Sequence, residues 1–191
     1  MATLEAERDL DLLRYASDAD SRHEALRELM DLYGKEVWNY AFSITRKWDM
    51  ADDITQEVFI KVFRHLHRFR RDASVKTWLL TITRNTAIDF TRSAFLRKVT
   101  LADRLTDQGE RRSAEQEVIE KLAVNEMWRM VLQLPRKYRE VLILFAHYQL
   151  SLKEMAKVLG VTEGTVKSRL FHARKKIMKM KLKESANDGP V

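Results

Sequence analysis

The chain has 191 residues, with 35 Lys and Arg against 28 Asp and Glu, a net charge of +7, no Cys, 5 Gly and 2 Pro. Without cysteine there is no disulfide, no thiolate metal site and no cysteine nucleophile, which suits a reducing cytosol. So few glycines and prolines leave little for the tight turns of a sheet protein, so the expected class is all-α.

Residues 1–21 form an acidic N-terminal extension, without the basic start and apolar run of a signal peptide. Ser21 and Glu24 have the spacing of a capping box. After them Leu26, Leu29, Met30, Tyr33, Val37, Tyr40, Ala41 and Ile44 recur every three or four residues, the period of one helix face. Asp49 is placed to cap a second helix, on which Ile54, Val58, Val62 and Leu66 point one way while Asp52, Asp53, Gln56 and Glu57 lie elsewhere. A basic loop over 69–74 interrupts the pattern, and Ser74 is placed to cap a third helix carrying Trp78, Leu79, Ile82 and Ile88. These helices make a first domain, residues 22–97.

Residues 98–112 are polar and aperiodic, and read as a flexible linker. The second domain, residues 113–183, begins with a helix from Ser113 to Leu134. Pro135 opens the next helix in its first turn, running to about Tyr148 and burying Val141, Leu142, Leu144 and Phe145. Ser151 and Glu154 form a second capping box, Gly160 ends that short helix, and Thr162 caps a long final one. Residues 184–191 are expected to fray. The architecture expected is two small helical domains joined by a flexible linker.

Charge is unevenly placed. Residues 1–63 carry 8 basic and 14 acidic side chains, 64–98 carry 9 and 2, 99–118 carry 3 and 5, and 119–191 carry 15 and 7. Two basic zones separated in sequence point to two contacts with a polyanion such as nucleic acid.

A short capped helix, a Gly turn and a second helix are the parts of a helix-turn-helix, here over 151–175. On the second helix Val166, Leu170 and Ile177 face inward by spacing. Residues 164–183 hold 8 Lys or Arg and no acid. Such a helix, entering a major groove, presents long donors to phosphates and base edges. Arg169 and Arg174 are the candidates for reach into the groove, with Ser168 and Phe171 adding a hydrogen bond and a thymine-methyl contact. Lys176, Lys179, Lys181 and Lys183 contribute nonspecific affinity at most. In the first domain, arginines alternate with aromatics around Phe63, Phe69, Trp78 and Phe90, a combination suited to unstacked single-stranded bases. Trp78 fits core packing at least as well as base contact.

The segments DDITQEVFIKVF, FRRDASVKTWLLTITRNTAIDFTR and LPRKYREVLILFAHYQLSLKEMAKVLGVTEGTVKSRLFHARKKI resemble, in order and spacing, the signature segments of bacterial extracytoplasmic-function (ECF, group 4) sigma factors. The resemblance covers residues 26–95 and 122–180. It implies two helical domains and no catalytic site, metal, cofactor or small-molecule substrate. By this resemblance Asp52, Asp53, Gln56, Glu57 and Phe59 fall on positions that dock on the largest-subunit clamp helices of core RNA polymerase. Arg70, Arg71, Asp72, Ala73 and Ser74 match the base-capturing loop that melts and reads the downstream (minus-ten) promoter element, and Asn85 matches the strand-reading helix. Lys76, Trp78, Arg84 and Arg92 join them from the basic-aromatic zone. Lys167, Ser168, Arg169, Phe171, His172 and Arg174 match the recognition helix that reads the upstream (minus-thirty-five) element as duplex, with Thr165 and Lys175 beside them. The family further implies a cytoplasmic location, promoter DNA in duplex and single-stranded form as partner, an anti-sigma factor as regulator, and no membrane insertion.

Two other classes are open to the residues themselves. A dimeric helix-turn-helix repressor would place a ligand pocket or a dimer face in its first domain. An enzyme would need a metal site, for which Asp53, Glu57, His65 and His67 supply ligand types without a coherent ligand face.

Overall fold

The computed structural model describes residues 19–69, 72–100 and 126–187. These residues form seven α-helices and one 3-10 turn, with no strand among them. The chain divides into two compact units between Thr100 and Leu101.

In the first unit, α1 (Ala19–Thr45) and α2 (Trp48–His65) form an antiparallel hairpin. A 3-10 turn (Leu66–Arg68) leads towards α3 (Val75–Thr100), which packs on both. The apolar faces read from periodicity make the core. Leu29, Val37, Tyr40, Ala41 and Ile44 of α1 meet Ile54, Val58, Val62 and Leu66, all buried. Burial of each large aliphatic side chain contributes ~2 kcal/mol. Two of the buried hydroxyls are satisfied within their own helix: Ser43 donates to Tyr40 O at 2.7 Å and Thr83 to Leu79 O at 2.8 Å. That is how a Thr-rich helix such as α3 turns a polar side chain inward without an orphaned group.

The termini of these helices depart from expectation. α1 already includes Ala19, so Ser21 stands inside the helix rather than at its N-cap. Lys47, with extended backbone, is the N-cap of α2, and Asp49 lies in the first turn, where its charge favours the helix dipole without a capping bond. Ser74 does cap α3: Thr77 N–H donates to its Oγ at 3.1 Å. Residues 98–100, read as the start of a linker, are the last of α3. The remaining linker positions 101–112, the expected helical positions 113–125 and the N-terminal extension to residue 18 lie outside the described residues.

The second unit comprises α4 (Glu126–Gln133), α5 (Arg136–Ala146), α6 (Leu152–Leu159) and α7 (Glu163–Asn187). Pro135 occupies the N-cap of α5, one residue earlier than expected, and α5 ends at Ala146. Arg139 is buried, and its Nη1 donates to Leu132 O at 2.7 Å and Leu134 O at 3.2 Å, closing the turn that Pro135 forces. Val141, Ile143 and Leu144 are core, but Phe145, expected to be buried, is 41% exposed, with the Arg174 guanidinium 5.0 Å from its ring centre. Residues 184–187, expected to fray, continue α7, and Glu184 pairs with Arg129 of α4 at 3.5 Å.

Candidate nucleic-acid interface and partner surface

Short-range hydrogen bonds build the helix-turn-helix. Ser151 N–H donates to Glu154 Oε2 at 2.9 Å and Glu154 N–H donates to Ser151 Oγ at 3.3 Å, a complete capping box at the start of α6. Gly160 ends the helix with φ +62°, and Val161 N–H reaches back to Ala156 O at 3.1 Å. Thr165 N–H donates to Thr162 Oγ1 at 3.2 Å, capping α7. Met155, Val158 and Leu159 of α6 are buried, as are Val166, Leu170 and Ala173 of α7.

With those positions committed inward, the 3.6-residue period fixes what α7 presents outward. Gly164, Ser168, Phe171 and Lys175 follow one another along a single exposed ridge. Phe171 is 65% exposed, which is unusual for an aromatic with nothing covering it. Lys167 and His172 flank the ridge and are exposed. Thr165 and Arg169 are only half-exposed. Arg169 immediately precedes buried Leu170 and follows Val166 by three, so it lies towards the core side. Arg174 is exposed but leans on Phe145 of α5. The two arginines singled out from sequence therefore flank the ridge instead of standing on it.

In the first unit, α3 gathers Trp78, Asn85 and Arg92 on one face at seven-residue spacing, with Ser74 one turn ahead. Asn85 and Arg92 are exposed. Trp78 is half-buried, its ring 4.8 Å from that of Phe69. The Ser74 hydroxyl is engaged in the helix cap, and Asp72 is exposed and Ala73 half-buried beside it. Lys76 and Arg84 do not share this face. Lys76 turns towards α1, where it meets Glu36 at 3.6 Å, and Arg84 is half-buried. Arg70 and Arg71 lie outside the described residues.

On α2, Asp52, Asp53 and Gln56 are exposed. Glu57 is half-exposed beside Lys61 at 3.8 Å, and Lys61 donates to Thr86 Oγ1 of α3 at 3.1 Å. Phe59 is only 4% exposed and forms part of the wall of a groove of about 590 Å³ between α1 and α2. As a wall residue it shapes the groove more than it offers contact area. Two further apolar residues line the same groove: Ile60 (45% exposed), which the sequence reading does not single out, and Met30 (47%), which it places on the inward face of α1. Ile60 follows Gln56 by four, so an apolar residue on an otherwise polar stripe was the available signal. No group of three or more His, Asp or Glu side chains among the described residues is disposed to hold a metal, so Asp53, Glu57, His65 and His67 do not assemble one. No helix among the described residues is long and apolar enough to cross a membrane.

Two helical units, one of them carrying a basic recognition helix behind a capped turn, define a DNA-binding protein of the all-α class. Comparison with known proteins narrows the class. The Sigma-70 region 2 profile matches residues 29–95 and the Sigma-70 region 4 profile residues 125–177. The chain is 30% identical over 154 residues to the ECF RNA polymerase sigma factor SigM of Bacillus subtilis, covering 78% of this chain and 91% of SigM. Among solved structures, CnrH in complex with the cytosolic domain of CnrY aligns with a TM-score of 0.63 at 24% identity, over 90% of this chain and 96% of the other. RpoE in complex with the anti-sigma factor NepR from Bartonella quintana aligns with a TM-score of 0.61 at 22% identity, over 80% and 94%. The two structures share the fold. The chain belongs to the extracytoplasmic-function family of RNA polymerase sigma factors.

Proposed function

We propose that this chain is a group 4 sigma factor with no catalysis of its own, which docks on core RNA polymerase in the cytoplasm and directs promoter-specific initiation. The second unit reads the upstream element as duplex, through the α7 ridge of Ser168, Phe171 and Lys175 with Lys167, Arg169, His172 and Arg174 at its flanks. The first unit melts and captures the downstream element as single strand, on the α3 face of Trp78, Asn85 and Arg92 and the loop Arg70–Ser74. Asp52, Asp53, Gln56 and Glu57, with the apolar groove beside them, dock on the clamp helices of the largest polymerase subunit.

The observation that carries this reading is the outward ridge of α7. The helix that carries it holds eight Lys or Arg and no acid from 164 to 183, and the ridge itself presents Lys175 and an exposed aromatic, Phe171, where a major groove would lie. Unstacking DNA costs a few kcal/mol per step. Units of this size offer little surface to offset that over several base pairs, so promoter binding by the free protein is weak. Docked on polymerase, both units share one rigid support, and two modest contacts act at high effective concentration. RpoE is held by an anti-sigma factor in its solved complex, which supports the same kind of control here.

The test is transcription in vitro with core polymerase over a promoter library. The expected result is initiation dependent on this protein at promoters sharing two elements at fixed separation. Tight sequence-specific duplex binding by the free chain, with no stimulation of core polymerase, overturns the reading in favour of a repressor.

A further inference from the structure

We propose that Trp38 is a positioning residue for polymerase docking, fixing the Asp52 carboxylate at one end of the α1–α2 groove. The proposal rests on the docking reading above and assigns a role to a residue outside the docking set.

The groove is bordered on α1 by Met30 and Gly34 and on α2 by Gln56, Phe59 and Ile60. Because the hairpin is antiparallel, one further turn along α1 from Gly34 reaches Trp38, and one turn back along α2 from Gln56 reaches Asp52. There the two helices are joined: Trp38 Nε1–H donates to Asp52 Oδ1 at 2.7 Å. The donor cannot easily swing. The Trp38 ring stacks on Phe42 with centres 5.3 Å apart and planes 5° apart, and lies 4.5 Å from Trp48 at 57°. Phe42 and Trp48 are themselves 6.0 Å apart. Phe42 is buried, and its carbonyl accepts from Arg46 N–H at 2.7 Å, closing α1. Three aromatic rings at the closed end of the hairpin therefore hold one N–H against one carboxylate.

Asp52 is exposed. Without a partner an exposed Asp side chain samples several rotamers, and a docking partner must pay to order it. With Oδ1 held by the indole, the side chain is already ordered when the partner arrives, and Oδ2 is left to accept the partner's donor. Pre-ordering of this kind raises affinity without adding a contact to the interface.

The experiment is a double-mutant cycle on the full chain, measuring affinity for core polymerase for the parent, W38F, D52A and the double variant, with thermal unfolding of each in parallel. W38F keeps a ring to stack on Phe42 and removes the donor. The expected result is a loss of roughly tenfold for D52A and roughly fivefold for W38F, with the double variant no weaker than D52A alone, since W38F has nothing left to position. The unfolding midpoint of W38F stays within about 4 °C of the parent. If W38F weakens binding equally with and without Asp52, Trp38 acts through packing and the proposal is overturned. If D52A weakens binding and W38F leaves it unchanged, the positioning role fails while docking through Asp52 stands. If D52A itself changes nothing, the docking role of Asp52 fails, and the Trp38–Asp52 pair is only a brace of the hairpin.

Discussion

Replacing Arg139 by Leu is expected to destabilise the second unit alone, and by an amount the structure lets one work out. Pro135 supplies no N–H and breaks the run from α4 into α5, so the carbonyls at the end of α4 lack their usual helical donors. Arg139 reaches back over one turn and gives Nη1 to two of them, Leu132 O at 2.7 Å and Leu134 O at 3.2 Å, while remaining 4% exposed. Leu fills similar space but donates nothing, leaving two acceptors in a site with little water. Each unsatisfied buried group costs about 1–3 kcal/mol. Removing a charge that had to be desolvated returns part of this, so the net loss is ~3 kcal/mol. At 1.4 kcal/mol per tenfold, the opening equilibrium of the unit shifts about 100-fold. Hydrogen exchange read peptide by peptide resolves the two units. The expected outcome is amide exchange about 100-fold faster in α5, α6 and α7, with α1–α3 unchanged. Arg139→Lys, which offers a point donor in place of a fork, should fall about halfway. A change smaller than about threefold for the Leu variant, or equal acceleration in both units, would refute the argument that this guanidinium closes the α4–α5 turn.

Two left-handed positions of the helix-turn-helix region give predictions of opposite sign in urea unfolding. Gln149 holds φ +54°, so Gln149→Gly stabilises by about 0.5–1 kcal/mol, whereas Gly160→Ala at φ +62° costs ~1 kcal/mol. A Cβ at Gly160 meets no atom within 4 Å, so that cost isolates backbone strain from packing. On the recognition helix, Lys175 stands on the outward ridge next to Phe171, while Lys181 is more than a turn beyond it. Lys175→Ala should lower the salt slope of holoenzyme binding to upstream-element DNA by about one, and Lys181→Ala by less. Equal slopes for the two variants would show that α7 holds DNA along its whole length without a preferred ridge.

How much was legible in the sequence depends on the reach of each interaction. The caps at Ser74, Ser151 and Thr162 and the turn at Gly160 close over a few residues, so their hydrogen bonds are written in adjacent positions. The inward faces of α1 and α2 are likewise local, because a 3.6-residue period sorts Ile54, Val58 and Val62 from Asp52, Asp53 and Gln56 before any partner helix is known. The all-α class and the helix-turn-helix followed from these two signals and a shortage of Gly and Pro. Periodicity could not say how wide each buried face is, since that depends on what packs there. Met30 and Phe145 fit the apolar pattern yet stand at the margins of theirs, one beside an open groove and the other under an arginine from α7.

The candidate sites divide in the same way. Sequence named the residues of α7 that are not core and put Arg169 and Arg174 first for their side-chain chemistry, but it held no information on which of them, or of Ser168, Phe171 and Lys175, faces directly outward. The outward direction of a helix is defined only by the positions of the helices behind it. Nothing near Lys76 in the sequence reveals the counter-charge that Glu36, forty residues earlier, supplies from α1. The burial of Arg139 and the bond from Trp38 to Asp52 were equally out of reach, because a charge on a helix is normally solvated and an indole has no sequence-level sign of its partner. What the chain determines alone is where helices start, stop and turn their apolar sides, since those depend on neighbours within a turn or two. Which polar side chains are held, buried or left available was decided by contacts between helices, from Arg139 reaching back seven residues to Leu132 to Trp38 and Asp52 fourteen apart, where hydrogen-bond geometry and exclusion of water replace local spacing as the controlling physics.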